Sequence, residues 1–252
     1  MKNNNPLTIR FEEFLIDMGF ANTSKTTKIF LRYHDLLQEW NSRINLISPN
    51  TAADIFERHF LDSISIALIN RIGLHDLDTN LINVLDVGTG AGFPGLPLKI
   101  IYPEWKLTLL DSTVKKMDFL KVVSNDLSLT NVNFISDRAE TVAHMEPYRS
   151  KFDLVVARAV ADLKILAEFM LPFCKMGGSI IAMKGDKAEE EIENALYAID
   201  LLGGGDLKLV DCAKYHPFLK GSLVFITKVA ETPENYPRRA GIPYKRPLTD
   251  LS

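Results

Sequence analysis

The sequence predicts an α/β fold: a seven-stranded, mainly parallel sheet with helices on both faces, preceded by an N-terminal helical extension. Three observations predict it. Beyond about Asp78, seven short apolar runs appear, most of them separated by segments of helical periodicity. Parallel strands need crossovers to return the chain, so this alternation is their signature. Before that point the apolar residues recur at steps of three and four, as on one face of a helix. The first apolar run also ends in a turn with glycine at every second position, Gly88, Gly90 and Gly92.

Taken in order, Ile29, Phe30, Tyr33, Leu36, Leu37, Trp40 and Ile44 form the first stripe, with Ser24 or Thr26 placed to cap it. A polar stretch, 41–49, closes on Pro49. A second stripe follows, Ile55, Phe56, Phe60, Ile64 and Leu68, with Asp54 near its start. The strand candidates are Ile82–Val87, Leu107–Asp111, Val132–Ser136, Leu154–Ala157, Ser179–Met183, Leu207–Ala213 and Leu223–Thr227. Helices are expected at Gly95–Tyr102, Val114–Leu127, Leu163–Cys174 and Ala188–Leu202. No helical pattern separates the last two runs, and Gly221 marks a turn, so they are expected to be antiparallel. The tail from Glu231 is rich in proline and carries Arg238, Arg239, Lys245 and Arg246, which predicts an extended or disordered basic segment. The expected organisation is 1–78 for the extension, 79–230 for the sheet domain and 231–252 for the tail.

Composition narrows the function classes. Across 252 residues, 46% are hydrophobic and 24% charged, enough apolar material for a substantial core. The net charge of −3 gives no global footprint for nucleic acid, so RNA binding would have to rest on local patches. Cys174 and Cys212 fit neither a disulfide scaffold nor a zinc site and are expected to be buried thiols in a reducing cytosol; no metal is expected. The start of the chain lacks the apolar run of a signal peptide, and no stretch is long enough to span a membrane, so a cytoplasmic protein is expected.

The segment Asp86-Val87-Gly88-Thr89-Gly90-Ala91-Gly92-Phe93-Pro94-Gly95 is a candidate cofactor turn. Glycine lets a ligand approach the backbone, Pro94 suits a first helical turn, and loops at the carboxyl ends of parallel strands form the ligand crevice. Gly90-x-Gly92-x-x-Gly95 matches a dinucleotide fingerprint. The register Asp86-x-Gly88-x-Gly90-x-Gly92 instead matches S-adenosylmethionine enzymes. A carboxylate at the strand end suits a cationic cofactor better than a pyrophosphate, which it would repel. S-adenosylmethionine is therefore favoured, with a dinucleotide or a purely structural turn as competitors. Asp111, about 20 residues beyond the glycines, is placed to accept ribose hydroxyls or to cap a helix. Asp137-Arg138-Ala139-Glu140 falls after the third strand, where an adenine could be met. Arg158 and Lys184 close the fourth and fifth strands, candidates for cofactor, phosphate or RNA contact.

The chemistry a methyl acceptor would meet is limited. The place where amine-methylating enzymes carry Asn/Asp-Pro-Pro-aromatic reads Val156-Ala157-Arg158-Ala159-Val160. Neither cysteine sits in a Pro-Cys pair, as carbon-5 methylation would need. A ring nitrogen with a free lone pair, such as guanine N7, needs no proton removed, and alignment could carry its catalysis.

Several motifs together resemble the RsmG (GidB) family of guanine-N7 methyltransferases of 16S ribosomal RNA. They are Trp40-Asn41-x-x-x-Asn45-Leu46, Arg58-His59-x-x-Asp62-Ser63, the turn through Phe93-Pro94-Gly95-Leu96-Pro97, Leu110-Asp111-Ser112-x-x-Lys115-Lys116-x-x-Phe119-Leu120, Arg158-Ala159-x-Ala161-x-Leu163 and Lys184-Gly185. The resemblance implies the Rossmann-like class I methyltransferase fold, S-adenosylmethionine as cofactor, and transfer to a guanosine in the decoding-region loop, on free RNA or the small subunit. It implies cofactor contacts at Gly88, Phe93, Ala139, Glu140 and Arg158, beside Asp86, Gly90, Gly92 and Asp111 from the turn and second strand. It places Arg58, His59, Lys115, Lys116 and Lys184 on the RNA side, with no catalytic residue assigned and a monomer expected. Leu219-Lys220-Gly221-Ser222 departs from the family in lacking its Glu and Arg. A small-molecule methyltransferase and a non-catalytic RNA-binding module remain as alternatives.

Overall fold

The computed structural model describes residues 6–48, 54–75 and 82–250. Pro49 and the boundary at Asp78 lie outside the described residues, as does nearly all of the N-terminal stretch read for export. Helices α1 (Pro6–Asp17) and α2 (Thr23–Asn41) open the chain. The α2 stripe is buried at Phe30, Tyr33, Leu36 and Leu37. The expected caps do not form: Ser24 and Thr26 lie within α2, and Asn22, in left-handed conformation (φ 54°), precedes it without a side-chain cap. The hydroxyls of Thr23 and Ser24 instead donate to Glu12 of α1, which ties the two helices together.

The second stripe forms a broken helix: a π turn Phe56–Leu61, an α turn Asp62–Ile64, a 3-10 turn Ser65–Ala67 and an α turn Leu68–Arg71. Its apolar residues recur every four positions, a repeat longer than the 3.6 of a regular helix, and the π turn widens the coil where Phe56 and Phe60 enter the core.

The sheet strands are β1 (Asn83–Val87), β2 (Lys106–Leu110), β3 (Val132–Ile135), β4 (Phe152–Arg158), β5 (Cys174–Lys184), β6 (Gly204–Asp211) and β7 (Ser222–Lys228). Their order is β3-β2-β1-β4-β5-β7-β6. The five strands from β3 to β5 are parallel, and β7 is antiparallel to both β5 and β6, as expected for the last pair. Between the strands lie α3 (Gly95–Ile101), α4 (Val114–Asp126), α5 (Ala139–Val142), α6 (Leu163–Met170) and α7 (Ala188–Leu201). The α6 helix is shorter than predicted, because Cys174 already pairs with Phe152 as the start of β5. Pro94 precedes α3 as its cap residue rather than opening its first turn.

Two apolar cores sandwich the sheet. Val84, Leu154, Val156 and Ile181 face one core, built with the N-terminal helices, α3 and α4. Leu85, Val155, Ala157 and Ile180 face the other, with α6 and α7. Burial on both faces explains why the strands read as continuous apolar runs rather than alternating ones. A bidentate pair, Arg32 to Asp126 at 2.7 and 2.6 Å, ties α2 to α4. Cys174 and Cys212 are buried and free. Among the described residues, no helix is long and apolar enough to cross a membrane.

The tail departs from expectation: it is packed against the domain. Its backbone carbonyls have few partners of their own, so side chains supply them. Arg149 donates to Tyr236 O at 2.8 Å and Thr232 O at 2.8 Å, and His144 Nε2 meets Pro237 O at 2.7 Å. Arg238 clasps Glu168, Leu248 joins the α6–α7 core, and a last turn, α8 (Ile242–Lys245), follows Gly241.

Candidate functional site

The glycine turn leaves β1 at the carboxyl edge of the sheet. Gly88, Gly90 and Gly92 all have positive φ (70°, 59° and 98°). Their roles differ. Gly88 lines a cavity, and a Cβ there would sit 2.7 Å from Val160 Cγ2. A Cβ on Gly92 would lie 2.5 Å from the Tyr33 hydroxyl, so this glycine serves packing against α2. Gly90 lies off the cavity wall and donates its N–H to Asp111 Oδ2 at 3.0 Å.

Asp86 is wholly buried behind the turn rather than on the cavity wall. Its Oδ2 accepts from Thr89 Oγ1 at 2.6 Å and from Gly95 N at 2.8 Å, which holds the loop closed. Its Oδ1 has no hydrogen-bond partner among the described residues. Burial raises its pKa to about 7, against the two hydrogen bonds and Arg158.

The first cavity, about 260 Å³, is lined by Gly88, Asp111, Thr113, Lys116, Ala139, Glu140, Val160, Phe169 and Tyr244 among others. Asp111 faces it and holds the neighbouring backbone rather than capping α4: Oδ1 accepts at 2.9 Å from the N–H of Thr113, the residue before the helix, and Oδ2 accepts from Gly90 N. Lys116 turns toward this cavity, 3.8 Å from Asp111, while Lys115 is exposed. Ala139 and Glu140 open α5, and Glu140 Oε1 accepts from Gly241 N in the tail at 3.1 Å.

The second cavity, about 790 Å³, lies beside the first and shares Ala159 and Val160 with it. Arg158 stands at this boundary but lines only the second cavity. Strand parity explains its direction: Leu154 and Val156 face the N-terminal helices, so Arg158 does too. There its guanidinium donates to Arg58 O at 2.9 Å and His59 Nδ1 at 2.7 Å, and sits 3.9 Å from Asp62 Oδ2. It also lies 4.9 Å above the Phe93 ring. Phe93 is thus buried in a stack between Tyr33 and His59, off both cavity walls.

Because His59 Nδ1 accepts from Arg158, the ring proton sits on Nε2, which is buried without a partner among the described residues. Burial and the neighbouring arginines lower its pKa to about 4, so the ring is neutral at pH 7. Burial raises the Asp62 carboxyl to about 6, opposed by Arg158.

Lys184 lines the second cavity, but its charge is already matched. It projects from the opposite face of the sheet to Arg158, where Nζ donates to Ala161 O at 2.6 Å and pairs with Glu191 at 2.6 Å. Arg58 is exposed and pairs with Asp54 at 3.4 Å. Sequence reasoning did not single out Tyr244, Val160, Glu191 or Lys220 as site residues. Tyr244 lies in a segment without periodicity, and Val160 ends a stretch that carries none of the residues of the amine-methylating motif. The Ala159 backbone, left-handed at φ 54° in a residue with a Cβ, gives no sequence signal at all.

Comparison with known proteins gives one consistent result. The family model for GidB, rRNA small subunit methyltransferase G, matches residues 26–218. The ribosomal RNA small subunit methyltransferase G of Desulforamulus reducens is 42% identical over 246 residues, 97% of this chain and 99% of that protein. The protein of the same name from Alkaliphilus metalliredigens is 42% identical over 232 residues, covering 92% and 95%. Among solved structures, a SAM-dependent O-methyltransferase from Thermotoga maritima matches with a TM-score of 0.52 at 12% identity, covering 80% of this chain and 72% of that one. At that identity it is the fold that is shared.

Proposed function

We propose, from the premise that this chain belongs to the rRNA small subunit methyltransferase G family, that its two cavities bring a methyl donor and a guanine base together across Val160. The protein is an S-adenosylmethionine-dependent ribosomal RNA methyltransferase. The acceptor we infer is N7 of a guanosine in the decoding-region loop of 16S RNA, modified in the cytoplasm by a monomer. The observation that carries the reading is the shared boundary, Ala159–Val160, between a small cavity and a larger one, each lined by charges of both signs.

The residues present suit S-adenosylmethionine. Gly88 leaves room where a Cβ would strike Val160. Asp111 keeps lone pairs toward the first cavity for ribose hydroxyls, and Ala139 and Glu140 offer a backbone and a carboxylate for the adenine. Asp86 Oδ1 has no hydrogen-bond partner among the described residues, and the ionised carboxylate behind the turn is a counter-charge for a cationic cofactor. When bound, the cofactor supplies an electrophilic methyl group on a sulfonium.

The rest falls to the protein. A guanine N7 lone pair lies in the ring plane and carries no proton, so alignment replaces general-base catalysis. Arg158 spends donors on Arg58 and His59 but has five N–H groups in all. Those remaining suit the guanine O6 beside N7. Transfer leaves a positive base, and Asp62, Asp162 and Asp186 on the second cavity wall offset it. Exposed Arg58, Lys115, Lys220 and Arg239 are available for the RNA backbone, whereas Lys184 and Arg238 are engaged within the protein.

The test uses labelled S-adenosylmethionine with small-subunit RNA from cells lacking the enzyme, offered free and as assembled subunits. A single N7-methylguanosine in the decoding region is expected. Absence of transfer while the cofactor still binds would remove the ribosomal reading. A pH dependence follows as well. Ionised Asp62 is needed beside Arg158, so kcat/KM should rise with pH through about 6. Asp62→Asn should abolish that limb; a limb that persists in the variant assigns it to another group.

A further inference from the structure

We propose that the C-terminal segment completes the cofactor site, with the ring of Tyr244 forming one wall against the adenine of S-adenosylmethionine. The inference rests on the cofactor reading above and adds residues that lie beyond the end of the family match at residue 218.

Four observations carry it. Tyr244 lines the first cavity while remaining 49% exposed, so its ring is only partly used by the fold. It is fixed in place nonetheless: its hydroxyl donates to Val160 O at 3.4 Å and its ring lies 5.6 Å from that of Phe169. Val160 is the boundary between the cavities, so the tail touches the point where transfer would occur. Gly241, at the head of the α8 turn, donates its N–H to Glu140, a carboxylate on the cavity wall. The cavity thus divides into a polar, charged side, with Asp111, Lys116, Asp137, Arg138 and Glu140, and an aromatic side, with Phe169 and Tyr244. An adenine has the matching division, polar at its edge and apolar on its faces, and it stacks on aromatic rings.

The tail is anchored at a distance from the cavity by Arg238 on Glu168, and Glu168 neighbours Phe169 on α6. Tail docking and cofactor binding therefore act on the same helix, through Glu168 and Phe169 of α6, and on the same carboxylate, Glu140. Each should tighten the other, since linkage between sites is reciprocal.

Calorimetry with S-adenosylhomocysteine on the full chain, without RNA, reads this directly. Tyr244→Ala should raise Kd about 10-fold, within the range found when a base-stacking ring is removed, while Tyr244→Phe should stay within about threefold of the native chain. Glu234→Ala, on the same segment but exposed and off the cavity, should bind as the native chain does. Amide exchange over residues 241–246 should slow when the ligand is added to the native chain. Unchanged affinity in Tyr244→Ala, or exchange in the tail that ignores the ligand, would overturn the proposal while the native chain's binding upheld the cofactor reading. Failure of the native chain to bind would remove both.

Discussion

Arg238→Ala is expected to release the C-terminal segment and cost about 3 kcal/mol of stability, the scale of breaking one side of a buried ion pair. Glu168 is 0% exposed and takes three of its hydrogen bonds from the Arg238 side chain and one from the Arg238 backbone. Without the guanidinium a carboxylate remains buried with no counter-charge. The chain can relieve it only by letting water in, which means lifting the tail. For a chain of this size each kcal/mol moves Tm by about 2–4 °C, so a fall of roughly 6–12 °C is expected. Glu168→Gln should be milder, because Arg238, with its side chain 23% exposed, can be hydrated once its partner is neutral. Thermal melts with limited proteolysis check this. The native segment should resist cleavage around Arg239 and Lys245, and the Arg238→Ala segment should be cut. A variant as stable and as resistant as the native chain would show that the clasp contributes nothing.

That clasp was illegible in the sequence, for a physical reason. Its partners are 70 residues apart, and neither residue type nor spacing marks the pair. A proline-rich stretch with four basic residues reads as a solvated arm, because the backbone contacts that hold it come from side chains such as Arg149 and His144 on another element. The sheet was legible because its signal is local: apolar runs buried on both faces, separated by amphipathic helices. Strand bounds shifted by a few residues, most at β5, whose first residues, Cys174-Lys175-Met176-Gly177-Gly178, form no apolar run, are exposed from Lys175 to Gly177, and pair across a register shift.

The candidate site was legible in part. Of the predicted contacts in the turn only Gly88 reaches the first cavity, together with Asp111, Ala139 and Glu140. Arg158 and Lys184 were both read as strand-end cations facing one crevice. Their difference lies in strand phase: Val156 puts Arg158 on the side of the N-terminal helices, whereas Ile180 and Ala182 put Lys184 on the side of α7, where Glu191 takes it. Counting alternation from the apolar residues of each strand would have separated them. Asp86 illustrates a different limit. Its motif position marks a carboxylate at the strand end, but does not show that Oδ2 would be taken by Thr89 and Gly95 while Oδ1 has no partner among the described residues.

The glycines of the turn give the sharpest contrast in expected activity. Gly88→Ala should lower kcat/KM by about 100-fold, the loss that a misplacement near 1 Å can cause at a reacting centre. Its effect on folding should be far smaller, about 1–2 kcal/mol for a left-handed residue that gains a Cβ. The new methyl would stand 2.7 Å from Val160 Cγ2, well inside contact distance, so Val160 has to move. Val160 is one of the two residues both cavities share, and it carries the carbonyl that holds Tyr244. Gly90→Ala is the matched control. It sits at a similar φ of 59°, so the backbone strain is comparable, yet its Cβ would find nothing nearer than Gly88 O at 3.9 Å. Methyl transfer to ribosomal subunits, measured beside thermal melts of both variants, separates strain from position. Similar melts with a large rate loss confined to Gly88→Ala are expected. Equal activity in the two variants would mean that the Val160 boundary does not set the alignment of donor and acceptor, and the transfer point would have to be sought elsewhere along the second cavity.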